Sequence, residues 1–540
     1  MHMIKYIPFA FLLLAGYSVY AQDTSRKKTI NITSTFKPVL RTPYKMGFAA
    51  SPAGTDSVRP VLQYNVPVQN LAFSFMPAPL KPLAFQDSLL AAERNKAYIK
   101  LGFGNFTTPY AKAAVGFGDG VKSNGSIEGD YISSKGKLPY QQFTKFGIRG
   151  STILNVNEAN DFRLNAGIEG YGTYRYGFAP DSLKFPKDSL KLMYTDFTGG
   201  ASFSNRRQTD AAFWYDPSVA FHFFGDNNSG KETQFNFALP LEKNITDKIA
   251  VQVGLSGMLD KFNGKTTSFS NNLFILNAGI KTSITENIQL RAGVLPSWNN
   301  KEFKLLPDVE ADFLLNGSSF VFQAGWKGYY KEQTFRSLVA FNPWIQQPDS
   351  INNTRNSEFF GAVKAVVDEH FSFRVKAGYV AMSNVPLFVN DFGDGKTYRV
   401  INELKMNSVN LTGELAYIKG EKFQWYNSVS LSTYGGLDLA PKAYGLLPFE
   451  LKSSARAQLI KDLYLKADLY NFIGTWYSDK NGGTNKSGSG FDLNAGAEFK
   501  LFSKMDLWLQ FNNILNQKYQ RWNQYPVLGF QAIGGVIFHL

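Results

Sequence analysis

From residue 96 onward the chain alternates, and no other feature constrains its fold as tightly. Six times a short polar turn leads into a strand whose two faces differ in kind. After Asn157-Glu158-Ala159-Asn160, Phe162, Leu164, Ala166 and Ile168 share one face, with Arg163, Asn165, Gly167 and Glu169 opposite. Glu286-Asn287 leads to Ile288, Leu290, Ala292 and Val294, with Gln289, Arg291 and Gly293 opposite. Asp368-Glu369-His370 leads to Phe371, Phe373, Val375 and Ala377, with Ser372, Arg374 and Lys376 opposite. Lys461-Asp462 leads to Leu463, Leu465, Ala467 and Leu469, with Tyr464, Lys466 and Asp468 opposite. Thr246-Asp247 and Ser503-Lys504 open strands of the same pattern. A period of two with one apolar and one polar face predicts half-buried β-strands joined by tight turns.

Between these short turns lie other polar segments, most of them longer: Ala179–Met193, Ser297–Lys301, Tyr330–Asn353, Tyr434–Pro448 and Thr475–Ser489. Short turns at one rim and long loops at the other are the asymmetry of a transmembrane barrel. The pattern predicts an all-β fold, an antiparallel barrel of about twenty-two strands. In that reading Phe335–Ile345 is loop, Val389–Gly420 is one long strand, placed near 398–419, and further strands cover 210–224 and 504–519. The chain ends on a strand of the same kind. In Gly529–Leu540, Phe530, Ala532, Gly534, Val536, Phe538 and Leu540 share a wholly apolar face, with Gln531, Ile533, Gly535, Ile537 and His539 opposite. An apolar terminal strand is an aggregation hazard in an open sheet, whereas in a closed barrel it pairs with the first strand.

Residues 1–21 read as a cleavable secretion signal, with Lys5, the apolar run Ile7–Ala15 and the site Val19-Tyr20-Ala21. Residues 22–95 are broken by Pro38, Pro43, Pro52, Pro60, Pro67, Pro77, Pro79 and Pro82, which predicts an extended luminal or periplasmic segment ahead of a barrel over 96–540. The absence of Cys suits an oxidising compartment and excludes disulfide frameworks and thiolate metal sites. The net charge of +14 raises nucleic acid as a partner, but Lys and Arg are spread along the strands, which points to a channel interior or anionic lipopolysaccharide and to no nucleic acid. His2, His222, His370 and His539 form no metal-spaced pair, so no metal or cofactor is expected. His222 is the one candidate member of a hydrolytic triad; a polar lumen or girdle residue is the simpler reading. The candidate lumen-lining residues are Arg163, Glu169, Arg291, Arg374, Lys376, Lys466, Asp468 and Asn512. They either set a mild anion preference in an open pore or satisfy one another across a filled one.

The run Phe511-Asn512-Asn513-Ile514-Leu515-Asn516-Gln517-Lys518-Tyr519 resembles the segment that marks the top of the penultimate strand in TonB-dependent receptors. Gly535, Phe538 and Leu540 resemble the terminal signal read by the barrel-assembly machinery, with Ile533 where a polar residue is usual. Lys28–Ser34 resembles the extended TonB box of such receptors. Phe341-Asn342-Pro343-Trp344 and Gly104-Asn105-Phe106-Thr107-Thr108-Pro109 resemble parts of a receptor-like group of the Bacteroidota that lacks the plug. The resemblance implies an outer-membrane barrel in a Gram-negative cell. True receptors fill the lumen with a globular plug, and residues 22–95 are too short and proline-rich for one. The implied function is therefore a passive or partner-gated solute channel. The alternative is a non-transporting barrel that anchors an envelope complex, with a periplasmic or surface lipoprotein as partner.

Overall fold

The computed structural model describes residues 97–315, 319–479 and 482–540. The expectations for the signal segment and for residues 22–95 lie outside the described residues.

Twenty-two antiparallel strands close into one barrel. They are β1 Ala97–Gly104, β2 Thr108–Phe117, β3 Ser123–Ser134, β4 Phe143–Asn155, β5 Asn160–Tyr174, β6 Lys191–Asn205, β7 Ser218–Asp226 and β8 Lys231–Thr246. There follow β9 Ile249–Asn263, β10 Leu273–Thr285, β11 Ile288–Asn299, β12 Glu302–Leu314, β13 Phe320–Lys331, β14 Thr354–Val367 and β15 Phe371–Ser383. The last are β16 Met406–Lys419, β17 Phe423–Gly435, β18 Phe449–Ile460, β19 Leu463–Phe472, β20 Gly490–Phe502, β21 Met505–Asn512 and β22 Gln531–His539. Each pairs with its neighbours in chain order, and β22 pairs with β1 from Ile533↔Gly104 to His539↔Tyr98, so this sheet has no free edge.

The alternation sorts the side chains as the pattern requires. On β22, Phe538 is 40% exposed on the outside while Ile537 beside it is 1% exposed. Phe197, Phe221, Phe223, Val294, Val375 and Tyr379 are likewise exposed large apolar groups. A continuous apolar outer face of this kind has the chemistry of a lipid-facing belt, and water gives it no reason to exist.

All six short turns read from the sequence lie at one rim. Their geometry follows from their residues: Thr246 Oγ1 accepts from the amides of Lys248 and Ile249 at 3.2 and 3.1 Å, and Asp368 takes φ +62. The opposite rim carries the segments 175–190, 332–353, 384–405, 436–448, 473–479, 482–489 and 513–530.

Five expectations are corrected. Phe335–Ile345 is not all loop: Phe335–Phe341 is a short helix, α1, started by a capping box between Thr334 and Ser337. The segment Val389–Gly420 is not one long strand. Tyr398–Glu403 pairs with Val385–Asn390 in a hairpin of its own, and the wall resumes at Met406. The expected strand over 504–519 stops at Asn512, because Asn513 turns to φ +48. Over 210–224, only Ser218 onward belongs to a full wall strand, while Phe213–Tyr215 is a short strand on β8. Ser297–Lys301 is a tight turn at Asn300, φ +56, rather than a long loop.

Candidate functional site

Two layers set what the barrel can do: a charged interior and an aromatic cap across the long-loop rim.

Many inward-facing charges meet opposite charges, most of them on a neighbouring strand. Arg149 on β4 bonds Glu169 on β5 and Asp130 on β3, the latter at 2.6 Å, and lies 3.6 Å from Glu128. Lys112 on β2 reaches Glu128 at 3.1 Å, and Lys100 on β1 reaches Glu498 on β20 at 2.8 Å. On the far wall Arg291 lies 3.6 and 3.4 Å from Asp308 and Glu310, Lys327 is 2.5 Å from Glu310, and Lys376 is 2.6 Å from Glu358. Most of these charges have an opposite charge within reach, so they largely neutralise one another along the wall; Lys100 and Lys112, which face each other on β1 and β2, each turn to a carboxylate elsewhere. Pairs of this kind hold register and contribute little net stability while both members remain.

The eight candidate residues are distributed through this lattice. Glu169, Arg291 and Lys376 have the partners just given, and Lys376 also lies 4.4 Å over the Phe360 ring. Arg163 is 3.9 Å from Asp161 and 3.8 Å from Asp216. Arg374 donates to Gln323 Oε1 at 3.4 Å and faces Glu414 in register. Lys466 is 3.6 Å from Asp468, which accepts from the Ser454 hydroxyl at 2.6 Å. Asn512 is buried near the long-loop end of β21, where Gln510 donates to it at 2.9 Å. His222 Nδ1 lies 3.7 Å from Asp196, which Arg336 of α1 approaches at 3.8 Å, so this histidine stands at the foot of the cap.

The cap is built from segments distant in sequence. Its buried core joins Leu192, Tyr194, Phe224 and Phe262 of the wall to Phe335, Leu338 and Val339 of α1, and these to Phe388, Tyr398, Trp522 and Tyr525. Trp344 stacks on Tyr525 with centroids 3.8 Å apart, and Tyr176 meets both edge-on. Trp522 contacts Phe341, Phe388 and Tyr398 at 5.2–5.5 Å. Backbone bonds from Gln346 N to Tyr398 O and from Tyr398 N to Trp344 O stitch the α1 loop to the hairpin. At the wall, Asn353 donates to Asn299 and Asn271 at 2.9 and 3.0 Å, and Asn271 donates to the Gln333 carbonyl at 2.9 Å. Large aromatic groups packed with their polar tips satisfied give a rigid assembly.

The motifs noticed in the sequence are explained here. Phe341-Asn342-Pro343-Trp344 follows α1 into the centre of the cap, where Tyr194 donates to the Pro343 carbonyl at 2.7 Å. Asn513 closes the last long loop by donating to the Gln517 and Leu528 carbonyls at 2.7 and 2.8 Å. Asn105 in the first hairpin donates to the Phe530 carbonyl at 2.9 Å and accepts from Ala532 N at 3.1 Å, tying that hairpin to the final strand.

Sequence reasoning missed Glu403, which fastens the hairpin to its neighbour. Its carboxylate accepts from the amides of Asp438, Leu439 and Ala440 at 2.7, 2.9 and 2.7 Å. Burial alone would raise its pKa, but these amides together hold it below the usual carboxylate range. A depressed folded pKa contributes stability above the unfolded value of about 4.3, and that stability is lost as pH falls through the folded value. Glu403→Gln is expected to speed hydrogen exchange at amides 438–440 at neutral pH while leaving the barrel strands protected. Unchanged exchange there would show that the carboxylate does not hold the loop.

No family model matches the chain, and no curated protein does. Solved structures do resemble it. The siderophore receptor PirA from Acinetobacter baumannii superposes with a TM-score of 0.64 at 8% identity, covering 83% of this chain and 81% of that one. The FrpB iron transporter from Neisseria meningitidis gives 0.63 at 10%, covering 83% and 82%. The ferripyoverdine receptor of the outer membrane of Pseudomonas aeruginosa gives 0.61 at 10%, covering 83% and 72%. At these identities the likeness concerns fold: the chain has the barrel fold of TonB-dependent outer-membrane receptors.

Proposed function

We propose that the protein is an outer-membrane barrel of a Gram-negative cell that passes solutes through a gated lumen. The observation that carries this reading is the cap. A barrel of this strand number has a wide lumen, and a packed aromatic roof over it suits a conduit opened on demand by a ligand or partner. The structural neighbours, a siderophore receptor and an iron transporter among them, support uptake of a bulky solute. Under this proposal Arg163, Glu169, Arg291, Arg374, Lys376, Lys466, Asp468 and Asn512 line the path. Because their neighbours balance them, ion selectivity is weak. Gly535, Phe538 and Leu540 hand the chain to the barrel-assembly machinery, and residues 22–95 meet a periplasmic partner or enter the lumen.

Trp522→Ala is expected to loosen the cap by about 3–5 kcal/mol, the usual cost of emptying a buried Trp site. Limited proteolysis should then cut within 332–353 and 384–405 while the barrel keeps its folded electrophoretic mobility. Proteoliposomes carrying this variant should take up hydrophilic solutes faster than those with the unaltered chain. Equal uptake with a proteolytically open cap would refute gating by the cap.

A second reading, a barrel that anchors an envelope complex, is favoured by apolar tips on the same rim: Phe392, Leu439 and Leu515 are 48%, 58% and 50% exposed. It predicts a lipoprotein that co-purifies with the unaltered chain and is lost when these three residues become Ser, with permeability unchanged.

A further inference from the structure

At the long-loop end of β6, β8 and β9 the outer face of the wall carries lysines. Other strands end at this rim in exposed rings, as at Phe103, Trp298 and Phe303. Lys191, Lys231 and Lys261 are exposed while Leu192, Glu232 and Asp260 beside them are buried, so alternation puts all three lysines outside. The register pairs Lys261 with Thr233 and Asn263 with Lys231, which makes Lys231 and Lys261 diagonal neighbours on one face. Diagonal neighbours stand about 7–8 Å apart, and the flexible four-carbon stems let both ammoniums converge on one anion. Thr233 is exposed beside them, and Ser270, exposed on the short strand Ser268–Ser270, pairs with Lys261 on its other side. The lumen lysines Lys100, Lys112 and Lys376 are matched by carboxylates, whereas Lys231 and Lys261 are in no ion pair among the described residues.

An aromatic shelf lies directly below. In the next row down, Phe221, Phe235 and Leu259 pair across β7, β8 and β9. The Phe221 and Phe235 rings are 4.7 Å apart, Phe237 follows at 6.0 Å, and Phe274 of β10 follows that at 6.2 Å. A Cβ on Gly257 would come within 2.7 Å of the Phe237 ring and 3.0 Å of the Phe274 ring, so this glycine gives the two rings room to meet. The outward apolar residues of β9 run from Ile249 to Leu259 and stop one position short of Lys261's row. That run rises about 33 Å along a strand, or about 25 Å upright at the usual tilt, the height of a barrel's apolar band. The lysines therefore stand where acyl chains give way to headgroups, the level to which long cationic side chains reach.

We propose that this face binds one lipopolysaccharide molecule of the outer leaflet through a phosphate of its lipid A. The phosphate takes both ammoniums in charge-assisted bonds and accepts from the Thr233 and Ser270 hydroxyls, while the acyl chains lie on the shelf. A phosphomonoester carries about −1.5 to −2 charges at neutral pH, which two ammoniums balance; a zwitterionic headgroup brings its own cation and does not need them. The inference rests on the outer-membrane reading, in which long loops face outward, and is independent of gating.

The test is native mass spectrometry of the full chain purified in detergent, titrated with bisphosphorylated lipid A, with lipid A stripped of phosphate, and with phosphatidylglycerol. The bisphosphorylated lipid is expected to bind at least tenfold tighter than the other two at low salt, and its advantage to shrink as salt rises. Lys231→Ala/Lys261→Ala is expected to remove that advantage. Lys248→Ala/Lys422→Ala, which takes the same charge from exposed positions at the short turns, is expected to keep it. All these positions are exposed, and folded electrophoretic mobility confirms each variant. The proposal is overturned if stripped lipid A or phosphatidylglycerol binds as tightly as the bisphosphorylated form. It is equally overturned if the Lys231/Lys261 variant binds unchanged, or if the short-turn variant loses as much. Failure of the outer-membrane reading would show separately, as the unaltered chain fractionating away from that membrane.

Discussion

Gly535→Val yields no closed barrel: electrophoresis without heating shows only the unfolded mobility. The reason lies in the seam between the first and last strands. The register sets Gly102 of β1 against Gly535 of β22, and Gly535 against Trp508 of β21. A Cβ on Gly535 would run into the Leu101 carbonyl oxygen and lie 2.6 Å from Gly102 Cα. Those are backbone atoms of a paired strand and have no rotamer to change. The cost therefore exceeds the ~1–3 kcal/mol of ordinary overpacking. A Cβ on Gly102 would strike the Trp508 ring, so the two glycines make the space through which the indole reaches across the seam and donates to Leu101 O at 3.1 Å. Gly129→Ala on β3 is the control, since its Cβ would meet nothing nearer than 3.8 Å. A folded, heat-modifiable Gly535→Val barrel would disprove this account of closure.

Lys100→Met has the second largest expected effect, a loss of about 3–5 kcal/mol, the usual cost of stranding a buried charge. The Lys100 side chain is fully buried, pairs with Glu498 at 2.8 Å and lies 4.3 Å over the Trp508 ring. Removing the ammonium leaves the Glu498 carboxylate, itself 8% exposed, facing the interior without its cation. The double variant Lys100→Met with Glu498→Met is expected to recover most of the loss, because replacing both members of a buried pair by apolar groups of similar size is often neutral. Denaturant titration of the two single variants and the double variant measures the coupling directly. Additive losses would show that the pair is not the source.

These two sites also show what the sequence made legible. Phe162, Leu290, Val375 and Leu465 announce an outward face through their period, and the turns Thr246-Asp247 and Ser503-Lys504 announce the short rim. Period and turn chemistry are local, so they survive in a one-dimensional reading. Gly535 reads from the sequence only as part of the terminal assembly signal; that it and Gly102 admit the Trp508 ring depends on strand pairing across more than four hundred residues. The same limit hid the split after Glu403. Tyr398–Glu403 alternates as a wall strand does, and only its partner Val385–Asn390 distinguishes a hairpin from the wall. The cap was not legible at all. Tyr176, Trp344, Trp522 and Tyr525 stand apart in segments without periodicity, Tyr398 sits on a strand that reads as wall, and only folding brings them together. The lumen residues were partly legible. Their strands and inward faces followed from alternation, whereas the pairing of Arg149 with Glu169 and of Arg291 with Glu310 needed the register.

The central claim, that the cap gates a conduit, is tested most directly by single-channel conductance in a planar bilayer. The recording compares the unaltered chain with Trp344→Ala/Trp522→Ala, each with and without residues 22–95. The account predicts that opening the cap raises conductance in stepwise events in at least one of the two backgrounds, with weak ion selectivity. Silence in all four forms, or conductance that ignores the cap in both backgrounds, would contradict it and leave the anchoring role in its place.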